Sequence, residues 1–263
     1  MQTNYNEEKY LMKTVQKAIH VLRAFSIEEK RLSLTEINKK TKIGNSSLQR
    51  ILYTLCKEGL LQKSEEDKRY QLSMDFVFFS ELVKRSSNLI SVAEPIIQDI
   101  NSSTTENVSV SILENNKRKC IASTGTKHEL AALTYVGQLS PLYAGASAKV
   151  FLAYFSETYL EKYLNELTLE PITENTIISK KVLIEELNKI KEKGYAISYE
   201  ERVKGAVSIS SPIFDPLMNI IATLTILIPT VRIDDYNIES LISSIVSGSN
   251  EITEKLNVTN KSI

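Results

Sequence analysis

The chain has 263 residues, 42% of them hydrophobic and 24% charged, with 32 basic residues against 32 acidic ones. That length suits two domains, and that composition supports a real core, which excludes a disordered or fibrous chain. No apolar run approaches the roughly 18 residues of a membrane helix, and the opening MQTNYNEEKY lacks a signal peptide's apolar stretch. The protein is therefore expected to be cytoplasmic and to have no membrane partner. Its two cysteines, Cys56 and Cys120, show no metal or redox spacing and read as plain buried thiols; no cofactor and no metal site is implied.

The zero net charge hides an asymmetry. From Lys13 to Lys63 there are 11 Lys or Arg against 4 Asp or Glu, an excess of seven, so the remainder carries the opposite excess. A basic head on an acidic body fits a polyanion-binding module, and equally a solvated charged surface.

Three helices and a hairpin are predicted from Thr14 to Leu72. Thr14 can cap a first helix whose apolar face is Val15, Ala18, Ile19, Leu22 and Phe25. Ser33 and Glu36 form an S-x-x-E capping box that opens a short second helix ending near Lys40 to Lys42. Ile43-Gly44 makes the turn, with Gly44 free to be left-handed. Asn45 or Ser46 then caps a third helix, with Leu48, Ile51, Leu52, Leu55 and Cys56 inward and Gly59 as its stop. Leu60–Lys63 and Arg69–Leu72 flank the polar tip Ser64-Glu65-Glu66-Asp67-Lys68 as a hairpin.

Two helices joined by a short turn and followed by a hairpin make a winged helix-turn-helix, whose second helix enters the DNA major groove N-terminus first. The expected DNA contacts are Ser33, Asn45, Ser46, Ser47, Gln49 and Arg50, with Lys63, Lys68 and Arg69 on the wing. Gln pairs with adenine and Arg with guanine, whereas Ser hydroxyls and a helix N-terminus suit phosphate. The competing reading is a small helical bundle for protein interaction.

Residues 74–85 carry Phe76, Val77, Phe78, Phe79, Leu82 and Val83, too apolar for a free linker, and are expected to form a helix packed on another surface. Ser91 and Glu94 predict a capping box, with Pro95 in the first turn and the helix running through Ile100. Val108, Val110 and Ile112 alternate with Ser109 and Ser111 as a half-buried strand, pairing with Arg118–Ser123 across Glu114-Asn115-Asn116. Helices are expected over 146–155, 156–167 and 180–193, the last closed by Gly194. Strands are expected over 195–199, 206–211 and 220–228. A final helix from Asp234 or Asp235 to about Leu256 precedes a polar tail. The domains are thus 12–73, a linker helix over 74–85, and 86–257, an α+β arrangement whose second domain is an antiparallel sheet with flanking helices.

Three stretches carry a family resemblance: SLTEINKKTKIGNSSLQRILYTLCKEGLLQKSEEDKRYQLS, GQLSPLYAGASAKVFLA and GYAISYEERVKGAVSISSPIFDPLMNIIATLTILIP. Together they resemble the IclR family of bacterial transcription regulators, with a winged helix, a linker helix and a GAF-like effector domain. The family commonly has Gly where this chain has Ala148. The resemblance implies operator DNA, a small-molecule effector and self-association into a homodimer or tetramer as partners. It places the effector at Ala146, Ser147, Ser198, Ser208 and Thr225. Leu227 falls where some acid-binding members look polar, which implies a less polar ligand among carboxylates or aromatic acids.

An enzyme is not expected. Ser147 and Lys149 are two apart and point to different helix faces, so Lys149 cannot readily deprotonate Ser147. The other readings are a GAF-like enzyme or redox protein with an accessory winged helix, and an interaction protein that needs no ligand.

Overall fold

A computed structural model describes residues 10–259, so residues 1–9, on which the expectation of no signal peptide falls, and residues 260–263 of the expected polar tail lie outside it. The chain divides into two compact units, one through Ser86 and one from Ser87.

The first unit holds α1 (Lys13–Leu22), α2 (Leu34–Thr41), α3 (Asn45–Lys57), the hairpin β1 (Leu61–Lys63) and β2 (Tyr70–Leu72), and α4 (Asp75–Ser86). Its core is Val21, Leu32, Ile37, Ile43, Leu48, Ile51, Leu52, Leu55, Leu61 and Tyr70. Leu32 forms an antiparallel bridge to Tyr70, which ties the wing to the start of α2. The capping box at Ser33 and Glu36 is formed as expected. Four local expectations fail. Met12, not Thr14, precedes α1, without a side-chain cap, and Val15 and Ile19 are exposed while Val21 is fully buried. The left-handed residue after α2 is Lys42, with φ 57°, rather than Gly44. Asn38 holds that turn by donating its side-chain amide to the Ile43 carbonyl at 2.6 Å, which leaves Gly44 as the extended residue before α3; neither Asn45 nor Ser46 caps it. Gly59 ends this segment at φ 75° as predicted.

The second unit contains α5 (Asn88–Thr104), β3 (Asn107–Glu114), β4 (Lys117–Ser123), β5 (Leu139–Ser140), α6 (Ala146–Ala153), α7 (Glu157–Glu166), α8 (Lys180–Lys193), β6 (Ala196–Tyr199), β7 (Ala206–Phe214), β8 (Ile220–Pro229), a 3-10 turn (Thr230–Asp235) and α9 (Ile238–Thr259). Six antiparallel strands run in the order β5-β4-β3-β8-β7-β6. The hairpin joining β3 and β4 turns on Asn115 and Asn116, both left-handed, as a tight two-residue turn of this hand requires. Ser87, not Ser91, caps α5, so the helix starts earlier than expected and Pro95 lies well inside it.

Register decides what the sheet's faces carry. Val108, Ile226 and Ile209 pair across β3, β8 and β7, as do Val110 and Leu224, and this face packs on α5 and α9. The other face is polar: Ser109, Thr225 and Ser210 form one cross-strand row, and Ser111 with Thr223 another. The half-buried strand expected for β3 is corrected here, because Ser109 and Ser111 are as fully buried as the valines between them. The polar face is covered by α6, whose residues are all buried.

Where α9 crosses the sheet the contact depends on a missing side chain. A Cβ at Gly248 would sit 3.0 Å from both Ile100 Cδ1 and Leu224 Cδ2. Overpacking of that kind typically costs about 1–3 kcal/mol. Gly248→Leu is expected to lower the second unit's stability by at least that amount, read as a drop in its urea midpoint; an unchanged midpoint would contradict this packing.

Candidate functional site

The first candidate surface is the outer face of α3. Its apolar residues Leu48, Ile51, Leu52 and Leu55 are buried, and the 3.6-residue period therefore turns Ser46, Arg50, Tyr53 and Lys57 outward. Asn45 and Gln49 are exposed along one edge of that face, and Ser47 is half-buried on the other. Ser46, Ser47 and Arg50 also line a cleft of about 440 Å³ against Thr14, Val15 and Ala18 of α1. Tyr53 and Lys57 were not singled out from the sequence, although their spacing from Arg50 is the signal. The Lys57 ammonium lies 5.8 Å from the Tyr53 ring centroid, which extends a cationic, aromatic strip one turn beyond Arg50.

The remaining expected DNA contacts stand differently. Arg69 donates to Glu36 at 2.9 and 3.2 Å and to the Arg31 carbonyl at 2.9 Å, so its guanidinium joins the wing to α2. The Ser33 hydroxyl is held within its capping box, accepting from the Glu36 N–H and donating to the Glu36 carboxylate. The hydrogen bonds that Ser33 gives Glu36, before those from Arg69, hold the Glu36 carboxyl below its ordinary range. Lys68 pairs with Glu65 at 2.7 Å, and Lys63 lies over the Tyr70 ring. The structure thus gathers Asn45, Ser46, Gln49 and Arg50 on one accessible surface and gives Ser33 and Arg69 internal partners.

The second candidate site is the start of α6. Gly145 precedes the helix at φ 93°, a conformation that disfavours any side chain. A small cavity of about 20 Å³ opens there, lined by Ala144, Gly145, Ala146, Ser147, Ala148, Ser208, Thr225, Leu227, Thr134, Arg118 and Arg202. Four of the five expected effector residues come together in this lining; Ser198 is buried but is not part of it. The hydroxyls are already engaged inside the protein. Ser147 Oγ lies 2.7 Å from Thr223 Oγ1, Ser208 Oγ accepts the Ala146 N–H at 3.3 Å, and Thr225 Oγ1 lies 2.8 Å from Ser210 Oγ. Two lining residues, Arg118 and Arg202, were not foreseen. Leu227 does line the cavity, yet the two guanidinium groups beside it make the site basic rather than the less polar one that Leu227 alone suggested.

A buried ion cluster fixes this corner. The Lys149 ammonium, almost completely buried, donates to Glu201 at 2.6 Å and Glu186 at 3.0 Å. Glu201 also accepts the Gly145 N–H at 3.3 Å. Ser147 and Lys149 thus enter separate networks, the hydroxyl with Thr223 and the ammonium with the two carboxylates. Burial pushes the Cys120 thiol up to about 11, despite the opposing pull of Arg118, and also raises that of Cys56. Neither is an activated thiolate. Among the described residues no helix is long and apolar enough to cross a membrane.

A helix-turn-helix with a hairpin wing, joined to an antiparallel-sheet domain with a small polar cavity, defines a two-domain transcription regulator. Two family models match this chain: the IclR helix-turn-helix domain over residues 14–65, and the C-terminal domain of bacterial IclR transcriptional regulators over residues 82–254. The chain belongs to the IclR family. It is similar to the HTH-type transcriptional regulator BhcR of Paracoccus denitrificans, with 26% identity over 222 residues, covering 84% of this chain and 80% of that protein. Among solved structures it resembles the Thermotoga maritima IclR, with a TM-score of 0.78, 28% identity and coverage of 94% of this chain and 99% of that one. It also resembles an IclR homolog from Microbacterium hydrocarbonoxydans complexed with 4-hydroxybenzoate, with a TM-score of 0.80, 20% identity and coverage of 92% and 98%.

Removing one partner from a buried ion pair leaves an uncompensated charge and typically costs about 3–5 kcal/mol. Lys149→Met is expected to destabilise the second unit on that scale, and adding Glu201→Gln to recover part of the loss. Chemical denaturation of both variants checks this; a single variant as stable as the parent would show that the cluster holds nothing.

Proposed function

We propose that this protein binds operator DNA through the exposed face of α3 and that a small acid held at the start of α6 changes its affinity for that DNA. The observation that carries the first half is the outer face itself. Among the described residues Gln49 and Arg50 stand on it without carboxylate partners, in the first turns of the second helix of a helix-turn-helix, the part that reaches base edges in the major groove. Tyr53, Lys57 and Lys63 are placed to meet backbone phosphate, whereas Ser33 and Arg69 support the reading surface from within. The second half rests on the cavity at Gly145, where unused first-turn N–H groups of a helix and buried hydroxyls converge.

The regulator is read as a homo-oligomer working in the cytoplasm, with no catalytic role. One winged helix buries little DNA, and a dimer reading two half-sites is the usual remedy. On the single chain none of α4 is buried: Val77, Phe78, Phe79, Leu82 and Val83 are all exposed, which supports self-association along that helix. Because α4 leads directly into α5 at Ser86 and Ser87, it is also the only covalent route between the ligand site and the DNA-reading module.

Arg50→Ala is expected to weaken binding to a footprinted genomic site by about 1–3 kcal/mol and to relax specificity at one base pair. Selectivity equal to the parent's would remove Arg50 from the readout. At the second site, Ser147→Phe would place a ring where the hydroxyl now meets Thr223 and fill the cavity. Thermal shift with a panel of small acids, 4-hydroxybenzoate included, should show a stabilising ligand for the parent and none for this variant, which should itself still melt cooperatively. A ligand that stabilises both equally does not sit at α6.

A further inference from the structure

The cavity at α6 contains a charge arrangement that its hydroxyls do not explain. Arg118 is only 3% exposed. It projects from β4 onto the polar face of the sheet, where Nε donates to Ser140 Oγ at 2.8 Å and Nη1 to Ser111 Oγ at 3.3 Å. Its remaining nitrogen, Nη2, is buried without any partner. Arg202 lines the same cavity and lies against Gly145, its stem 3.7 Å from where a Cβ would stand. Among the described residues Arg202 has no hydrogen bond or ion pair, and no carboxylate pairs with either arginine. The nearest acid in sequence, Glu201, is turned away to Lys149 and the Gly145 N–H.

Burying a cation without an anion is strongly unfavourable, and two together add mutual repulsion. Both effects are visible here: burial first, and the proximity of Arg202 second, push the Arg118 guanidinium down to about 10, and burial also lowers that of Arg202. Groups held this way are matched to something that arrives with negative charge. The cavity adds donors of the same sense, the first-turn N–H groups of Ser147 and Ala148 at the positive end of the α6 dipole. No Asp or Glu lines it. Leu227 and the alanines set a tight boundary, and about 20 Å³ is room for little more than a water-sized group before the walls move. Any ligand must move those walls, and a compact acid moves them less than an aromatic one. A single carboxylate would leave one guanidinium uncompensated.

We propose that the effector is a small acid carrying two negative charges, clasped between Arg118 and Arg202 with one end at the N-terminus of α6. The Arg fork suits this, since it accepts carboxylate or phosphate oxygens in a planar, two-point contact. The inference rests on reading the α6 cavity as the effector site and adds the charge of what enters. A dicarboxylate and a phosphate group share the required chemistry, and the test separates them.

The experiment is thermal shift and calorimetric titration of the full-length protein at constant ionic strength with four probes: malonate, inorganic phosphate, propionate and malonamide. Malonate, phosphate or both should bind saturably. Propionate and malonamide, which share malonate's three-carbon chain but lack one or both charges, should bind about tenfold more weakly or worse. Binding by malonate alone identifies a dicarboxylate site, and binding by phosphate alone a phosphate site. Arg202→Gln should remove the response by a similar factor while melting no lower than the parent without ligand, because it deletes an unpaired, half-buried charge rather than a bond. Arg118→Gln provides a second, independent loss of response. The proposal is overturned if neither malonate nor phosphate binds, if propionate or malonamide binds as well as malonate, or if Arg202→Gln binds malonate unchanged. These outcomes differ from failure of the site itself. A neutral or singly charged ligand that binds the parent and is lost with Ser147→Phe keeps the cavity as effector site and removes only its two-charge character.

Discussion

A lysine ammonium placed inside a protein must find carboxylates, and Lys149 organises the ligand corner by that requirement. Because it sits on the second turn of α6, fully enclosed, the loop after β6 has to deliver Glu201 and α8 has to deliver Glu186. Glu201 in turn uses its other oxygen on the Gly145 N–H, fixing the turn that opens α6. Its neighbour Arg202 lies against Gly145 and lines the cavity. One buried cation thus positions both the helix N-terminus and the group that faces it. The carboxylates and the ammonium satisfy one another, which holds the start of α6 in place.

The sheet supplies the other half of that arrangement by being buried on both faces with opposite chemistry. Valine and isoleucine rows meet α5 and α9, while serine and threonine rows meet α6. Hydroxyls facing a helix are tolerated because most of them pair among themselves, as Ser147 with Thr223 and Ser210 with Thr225 do. Among the described residues two buried atoms on this face lack a partner, Ser109 Oγ and Arg118 Nη2, and the second belongs to the cavity lining. An unsatisfied buried donor in an otherwise satisfied network is where a bound molecule contributes most.

Much of this was legible in the residues. Ser33 with Glu36, Gly59, the amphipathic run from Lys180 to Lys193 with Gly194 after it, and the Asn115-Asn116 turn each encode their local structure through short-range bonds or backbone freedom, and each appears where it was read. Local rules misled where a neighbouring contact won. Ser87 outcompeted Ser91 as the cap of α5, and the Asn38 amide forced Lys42, not Gly44, into the left-handed turn. The alternation of Val108 to Ile112 gave the strand correctly but not its burial, because α6, the element that covers the serine face, comes later in the chain. Ala146, Ser147, Ser208 and Thr225 were placed by family resemblance and do meet. Arg118 and Arg202 escaped notice because nothing local marks them. They lie far apart in sequence, and only the β3–β4 register and the commitment of Glu201 bring them together.

In the winged helix the economy is different. Charge there is spent on architecture as much as on DNA: Arg69 and Ser33 brace Glu36, and Lys68 is taken by Glu65, which leaves α3 to present the unpaired side chains. We propose that this surface and the α6 cavity belong to one energetic system. Coupling of that kind is reciprocal by thermodynamic necessity. The most direct measurement is the affinity of malonate for the protein free and for the protein saturated with its operator DNA. Two different dissociation constants are expected, their ratio equal to the factor by which malonate changes operator affinity. Identical binding in the presence and absence of DNA would contradict it.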